Sequence, residues 1–184
     1  FLILSFQANI YAIFFSLILR LKIITRSNTA PGGWSSNSLK RLIFKISFKY
    51  PAEIIVNSID FKKQLDKEFN IKSICIYNPF NNQDIEKKSK KKTSFNFFKK
   101  NNSFLNIINI GRMTDQKDQM LILKSLNNLK DRIKFRCLIL GKGINHSKLK
   151  KFIINNKLKN RIKLLGFKSN PYPYIKQSDL FLLT

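Results

Sequence analysis

The sequence predicts an α/β fold of parallel, doubly wound sheets arranged in two units. Three observations carry that expectation. Short apolar runs of strand length alternate with segments of helical spacing, the pattern of βαβ units. In the second half, three successive apolar runs end in glycine, at Gly111, Gly141 and Gly166. A charged, asparagine-rich stretch over residues 81–103 separates two halves that each read this way. No repeat of fixed period competes with this parse.

Composition bounds the function. A hydrophobic fraction of 43% in 184 residues supports a packed core and excludes a disordered chain. The net charge of +25 raises nucleic-acid binding. However, the chain has 28 Lys against 7 Arg, alongside 26 Ile, 20 Asn and 17 Phe. Lys, Ile, Asn and Phe all have A/T-rich codons, so the excess reads as genomic bias spread over the chain. A dedicated nucleic-acid binder concentrates Arg and aromatic residues on one element. Nucleic acid is therefore not expected as a partner, and diffuse Lys charge suits an anionic lipid surface better. Cys75 and Cys137 lie inside apolar runs and read as buried free thiols of a reduced, cytoplasmic protein. There is no CxxC motif, and His146 is the only histidine. Neither a metal centre nor a Ser-His-Asp triad is expected.

Residues 1–26 are the most apolar segment. A transmembrane helix needs about 20 consecutive apolar residues. Ser5, Gln7, Asn9 and Ser16 interrupt the run, and Arg20 and Lys22 end it. It parses instead as a strand over Phe1–Phe6, a helix over Asn9–Leu21 and a strand over Lys22–Thr25, the tail of a βαβ unit. The polar residues Arg26, Ser27, Asn28 and Thr29 follow. Such residues past a strand end face a ligand crevice in parallel sheets, or simply form a loop with a capping Asn. Residues 30–34 are a Pro-Gly-Gly turn cluster carrying Trp34, which fits a core or a site role equally. Ser38–Phe48 has helical spacing, with Leu39, Leu42, Ile43 and Ile46 on the expected core face. A strand over Ala52–Asn57, a helix over Ile59–Phe69 and a strand over Ile74–Tyr77 complete the first unit, residues 1–80. Asn78-Pro79 ends that strand, since proline donates no hydrogen bond and restricts its predecessor.

Residues 81–103 hold the block Lys87-Lys88-Ser89-Lys90-Lys91-Lys92 and read as a solvated basic linker. From residue 104 the alternation is regular. Strands are predicted over Leu105–Ile110, Phe135–Leu140, Ile162–Leu165 and Leu180–Leu183. Helices are predicted over Gln119–Leu129, with Leu121, Ile122, Leu126 and Leu129 apolar, over Lys148–Asn155, and briefly over Tyr172–Lys176.

In such a sheet the carboxyl-end loops share one rim, where ligands bind. Those loops carry Gly111-Arg112, Gly141-Lys142-Gly143 and Gly166-Phe167. Arg112 offers bidentate hydrogen bonds to a phosphate and Lys117 a compact positive charge, both at the start of the next helix. The plainer reading makes Arg112 a surface residue and pairs Asp115 and Asp118 with nearby Lys. A dinucleotide fingerprint is excluded, because His146 stands where its third glycine belongs. A Walker A loop is absent as well.

Taken in order, IYNPF at 76–80, NIGRMTDQKD at 109–118, LILGKG at 138–143, IKLLGF at 162–167 and SDLFLL at 178–183 resemble the group-1 (family 4) glycosyltransferases of the GT-B fold. The likeness is clear over residues 50–184 and fainter before. It implies two Rossmann-like domains, both incomplete: the end of an acceptor-side domain over 1–80, and the first half of a donor-nucleotide domain over 104–184. It implies transfer of a sugar from a UDP- or GDP-linked donor to a glycan or lipid-linked acceptor, with retention, without a cofactor or bound metal. By the same likeness Arg112 and Lys117 hold the donor diphosphate, and Gly111, Gly141 and Gly143 admit backbone to the donor. Gly166 and Phe167 lie near the nucleoside, Arg26 and Asn28 on the acceptor side, and Asn78 is structural.

The family's catalytic pair of glutamates falls past its last matching strand and is expected beyond Thr184. Glu53, Glu68 and Glu86 stand in other contexts. The expectation is thus a fragment truncated at both ends, inactive by itself, of an enzyme of cell-surface polysaccharide or glycolipid assembly. The parent would be cytoplasmic and peripheral to the membrane. A non-catalytic basic binding module and a nucleotide-sugar epimerase of the same fold remain the alternatives.

Overall fold

The computed structural model describes residues 2–6, 9–28, 38–93, 95–98 and 103–184, the Lys40 side chain excepted. The expected turn cluster at 30–34, with Trp34, lies outside the described residues, as do Phe1 and Thr29. The chain divides into two compact units, Phe1–Phe80 and Asn81–Thr184.

The first unit contains β1 (Leu2–Ser5), α1 (Asn9–Ile18), β2 (Lys22–Ser27), α2 (Ser38–Ser47), β3 (Glu53–Val56), α3 (Ile59–Phe69) and β4 (Ile74–Cys75). Its strands pair in parallel in the order β1-β2-β3-β4. Ser58 caps α3 by accepting from the Phe61 N–H at 3.2 Å, and Asn70 ends the helix in the left-handed conformation. The core gathers Phe48, Ile54, Val56, Phe61, Leu65 and Phe69. One expectation is corrected here. Leu39, Leu42, Ile43 and Ile46 of α2 are exposed, whereas Phe44 and Phe48 pack inward. The aromatic pair stacks at 5.9 Å between centroids, and Phe48 meets Phe69 at 6.3 Å. Large aromatic area wins the inward position over the aliphatic stripe.

The second unit contains α4 (Asn82–Ser89), β5 (Leu105–Ile110), α5 (Gln119–Leu129), β6 (Phe135–Leu140), α6 (His146–Asn155), β7 (Ile162–Gly166), α7 (Tyr172–Lys176) and β8 (Leu180–Phe181). A single 3-10 turn over Asp115–Lys117 precedes α5. The parallel sheet runs β7-β6-β5-β8. Side chains alternate across it. Ile107, Phe135, Cys137 and Ile139 face the helix side, with Ile122, Leu126, Leu149 and Ile153. Ile108, Leu138 and Leu140 face the other side, with Tyr174, Phe97 and Phe98. A sheet covered on both faces explains the near-continuous apolar runs of β5 and β6.

Of the stretch 81–103, expected as a solvated basic linker, the described residues 81–93 and 95–98 instead belong to this unit. Asn81 caps α4 by accepting from the Asp84 N–H at 3.0 Å, and α4 packs on α7, where the Asn170 amide donates to Lys88 O at 3.0 Å. Phe97 and Phe98 are buried, and the Arg136 guanidinium sits 5.1 Å over the Phe97 ring. The lysines stay in solvent while the aromatics behind them close one face of the sheet. Of the four residues expected on the apolar face of α5, Ile122 and Leu126 are buried; Leu121 and Leu129 are exposed, and Leu123 and Gln119 fill the inward face.

Candidate functional site

The candidate site forms where β5, β6 and β7 end. Register places Ile110 beside Leu140 and Leu140 beside Gly166. The Gly111 N–H donates to Leu140 O (3.0 Å) and the Gly141 N–H to Gly166 O (2.9 Å). Gly111, Gly141 and Gly166 therefore stand side by side on one rim. The chain leaves β5 toward β6 and returns on its other flank as β8. The carboxyl end of β5 is thus the topological switch point, where open α/β sheets form their ligand crevice.

The loop from Gly111 to Asp118 is held firmly there. Met113 is fully buried, and its N–H donates to Lys142 O (2.9 Å) while its carbonyl accepts from the Asn145 N–H (3.1 Å). The Gln119 amide donates to Arg112 O (3.0 Å), and the Thr184 hydroxyl to Lys117 O (2.6 Å). Asp118 adopts φ 24°, and its carboxylate accepts from the Leu121 N–H (3.3 Å) at the start of α5. The Asp115 carboxylate accepts from the Asn145 amide (2.8 Å). The two acids of the loop are thereby engaged elsewhere. Among the described residues neither Arg112 nor Lys117 is held in an ion pair. Arg112 is exposed; Lys117 is half-buried, with its stem 3.8 Å from where a Cβ on Gly111 would stand. Two uncompensated cations beside a helix start form an anion-attracting corner.

The glycines of the rim serve different ends. A Cβ on Gly141, which has φ +140°, would stand 1.9 Å from Gly111 O; one on Gly143 would stand 2.2 Å from Met113 O. The family likeness assigns both to donor approach, but the side-chain space at each belongs to the backbone of the neighbouring loop. Gly111 meets only ordinary contacts, and Gly166, at φ +69°, faces open space beside exposed Phe167.

In the first unit β2 continues to Ser27, because parallel pairing carries on through Arg26–Ile55 and Ser27–Val56. Arg26 therefore lies within the strand rather than in the loop after it. Its guanidinium donates to Asn78 Oδ1, and Asn28 is exposed just beyond the strand. Asn9, expected only as a helix start, ties this rim together. It accepts from the Ser5 hydroxyl (2.7 Å) and donates to Arg26 O (3.2 Å) and Ser27 Oγ (3.3 Å). Asn109 likewise carries a role that strand spacing alone does not show: it is buried in β5 and donates to Leu182 O (2.9 Å). A polar residue inside an apolar run is the available signal for it.

A cavity of about 1240 Å³ opens at the opposite, amino end of β5, among Lys90, Lys91, Phe98, Lys176 and Asp179. Asp179 there is engaged with the Asn106 N–H (2.7 Å). Among the described residues no cluster of His, Cys, Asp and Glu is placed to hold a metal, and no helix is long and apolar enough to cross a membrane.

Comparisons with known proteins bear on the family and the fold. The family "Glycosyl transferases group 1" matches residues 90–184, just over half the chain. An uncharacterised glycosyltransferase of Methanocaldococcus jannaschii is 30% identical over 155 residues, 78% of this chain and 36% of that protein. The N-acetylgalactosamine-N,N'-diacetylbacillosaminyl-diphospho-undecaprenol 4-alpha-N-acetylgalactosaminyltransferase of Campylobacter jejuni is 28% identical over 86% of this chain and 43% of its own length. Among solved structures, Anabaena HepE with UDP and glucose superposes with a TM-score of 0.73 at 17% identity, covering 98% of this chain and 52% of that one. The lipopolysaccharide outer core galactosyltransferase WaaB gives 0.67 at 16% identity, covering 98% of this chain and 49% of that one. The chain thus spans about half the length of these structures, and less of the curated relatives. With its two parallel-sheet α/β units the fold is of the GT-B type, and the chain belongs to the group 1 glycosyltransferases.

Proposed function

We propose that the whole protein transfers a sugar from a UDP- or GDP-linked donor to a polysaccharide or lipid-linked acceptor, with retention of configuration, at the cytoplasmic face of a membrane. The observation that carries this reading is the pair Arg112 and Lys117 at the switch point of the second unit, neither in an ion pair among the described residues. HepE, whose crystal structure is a complex with UDP and glucose, supports a nucleotide-sugar donor. The diphospho-undecaprenol in the name of the Campylobacter relative supports a lipid-linked acceptor.

In this reading the donor diphosphate lies across Gly111, whose bare Cα leaves room beside the Lys117 stem. Arg112 and Lys117 offset the charge that builds on the leaving diphosphate, the work a divalent cation does in other transferases. Their backbones are fixed by Gln119 and Thr184, so they need little reorganisation as charge develops. Gly166 and Phe167 border the nucleoside, and Arg26 and Asn28 the acceptor side. None of the chain's glutamates stands on the donor rim: Glu68 pairs with Arg41, Glu86 pairs with Lys90, and Glu53 lies in β3.

Calorimetric titration of the 184-residue chain with UDP tests the site. Arg112→Ala and Lys117→Ala each remove a charge-assisted hydrogen bond worth about 1.5–3 kcal/mol, so each should weaken UDP at least tenfold. UDP affinity unchanged in the double variant would count against the site.

A further inference from the structure

The loop that carries Arg112 and Lys117 also carries two carboxylates, Asp115 and Asp118. Acids beside a diphosphate site work against it. A carboxylate within a Debye length, about 10 Å at 0.1 M salt, repels the ligand, and long Arg and Lys side chains can fold onto it instead. Asp118 is committed to the start of α5, where it accepts from the Leu121 N–H. Asp115 is the more exposed risk. It shares its 3-10 turn with Lys117 and follows Arg112 closely in the chain, with its own side chain in solvent. Among the described residues it nevertheless forms no ion pair with either cation. It is held by the Asn145 amide, at 2.8 Å, from the loop after β6.

Asn145 is placed for that duty. It occupies the N-cap position of α6, where an Asn side chain ordinarily accepts from an N–H of the first helical turn. Here it makes no side-chain cap bond, and its amide donates to Asp115 instead. A carboxylate can only accept, so the amide nitrogen must face it. The Asn145 backbone is fixed on both sides. Its N–H donates to Met113 O at 3.1 Å, and its carbonyl accepts from the Leu149 N–H at 2.9 Å. Met113 is fully buried, so the amide reaches the loop from a rigid base. The Asp115 carboxylate thereby rests beside the start of α6, whose unpaired N–H groups and dipole favour negative charge. The acid is drawn to one helix start while the cations stand before another.

We propose that Asn145 is a positioning residue of the donor site: by holding Asp115 at the start of α6 it keeps that carboxylate off Arg112 and Lys117, so that both cations stay open to a nucleoside diphosphate. The proposal rests on the donor-site reading above. Asn145 acts through Asp115 rather than on the ligand, and the loop after β6 thus sets nucleotide affinity by controlling where a neighbouring negative charge lies.

Calorimetric titration of the 184-residue chain with UDP tests it, comparing the parent, Asn145→Ala, and the double variant Asp115→Asn/Asn145→Ala. Asn145 makes no cap bond to lose, so circular dichroism should match the parent and the urea midpoint should stay within about 0.5 M of it. Freeing Asp115 beside the cations should weaken UDP by about fivefold in Asn145→Ala. Neutralising the freed acid should then restore the parent's affinity in the double variant, although the contact between the two loops is still missing. A merely structural clamp predicts the opposite, a double variant as weak as the single one or weaker, and that result would overturn the proposal. So would an Asn145→Ala variant that binds UDP as the parent does. In either case a parent that takes UDP leaves the donor-site reading standing. A parent that does not take UDP overturns that reading and this proposal together.

Discussion

Gly143→Ala is expected to unfold the second unit far more readily than Gly111→Ala, although Gly111 sits nearer the proposed donor. The added Cβ at position 143 would lie 2.2 Å from Met113 O, 2.6 Å from its C and 2.7 Å from its N. All three atoms are backbone, so no flexible side chain can yield. Relief of more than 1 Å is needed to reach the ~3.5 Å of ordinary carbon contact. Moving the loops apart breaks Met113 N–H to Lys142 O and Asn145 N–H to Met113 O, about 1 kcal/mol each. Overpacking adds about 1–3 kcal/mol. The total is about 3–5 kcal/mol, which at a urea slope of about 2 kcal/mol/M lowers the midpoint by about 2 M. At Gly111 the nearest atoms to an added Cβ are Gln119 Nε2 at 3.6 Å and Lys117 Cγ at 3.8 Å. Alanine there should change stability by less than about 1 kcal/mol while crowding the proposed diphosphate position. Urea unfolding read by exposure of the buried Cys137 thiol reports this unit alone, and UDP titration reports the site. Equal midpoints for Gly143→Ala and the parent would refute the claim that the two loops are packed backbone to backbone.

Two further outcomes follow from the ionisable groups. Cys137 is buried and its thiol is pushed up to about 12 by desolvation, while Cys75 is half-buried; an uncharged thiol reagent at neutral pH should therefore label Cys75 in the folded chain and Cys137 only after the second unit opens. At Asp66 burial pushes the carboxyl up, but hydrogen bonds from Lys62 and from the Ser73 hydroxyl and N–H outweigh it and hold it below the ordinary value. A depressed folded-state value stabilises above the unfolded value near 3.8 and is lost as pH falls through the lower one. Asp66→Asn should accordingly cost stability at neutral pH and flatten the acid limb of the first unit's unfolding curve, and an unaltered acid limb would disprove the assignment.

The sequence was most legible where one physical signal acted alone. β5, α5 and β6 were bounded to the residue because both faces of this sheet are covered, so the strands are mostly apolar and stop sharply at polar turns. It was least legible where two signals competed. Periodicity found an apolar stripe on α2 but could not tell that Phe44 and Phe48, on the other side, hold the core. The Lys block at 87–92 masked Phe95, Phe97 and Phe98 directly behind it, so a core segment read as linker. At the site, residue types left Arg112 and Lys117 equally readable as surface charges, and only the family resemblance singled them out. That the space beside Gly141 and Gly143 is filled by Gly111 and Met113 depends on how two distant loops approach, which no local pattern encodes.

Because α4 and the phenylalanines after it belong to the second unit, that unit is fastened by elements from both extremes of its own stretch of chain. Asn170 reaches Lys88 across 82 positions, and Asp179 reaches Asn106 across 73. On the ribosome, Phe97 and Phe98 emerge well before β6 and α7, the partners that cover them. During that interval a sticky aromatic segment is flanked by lysines on both sides, Lys90–Lys92 before it and Lys99 and Lys100 after it. Lysines flanking an apolar segment disfavour its aggregation, so replacing them with neutral residues should lower the soluble yield without altering the finished fold.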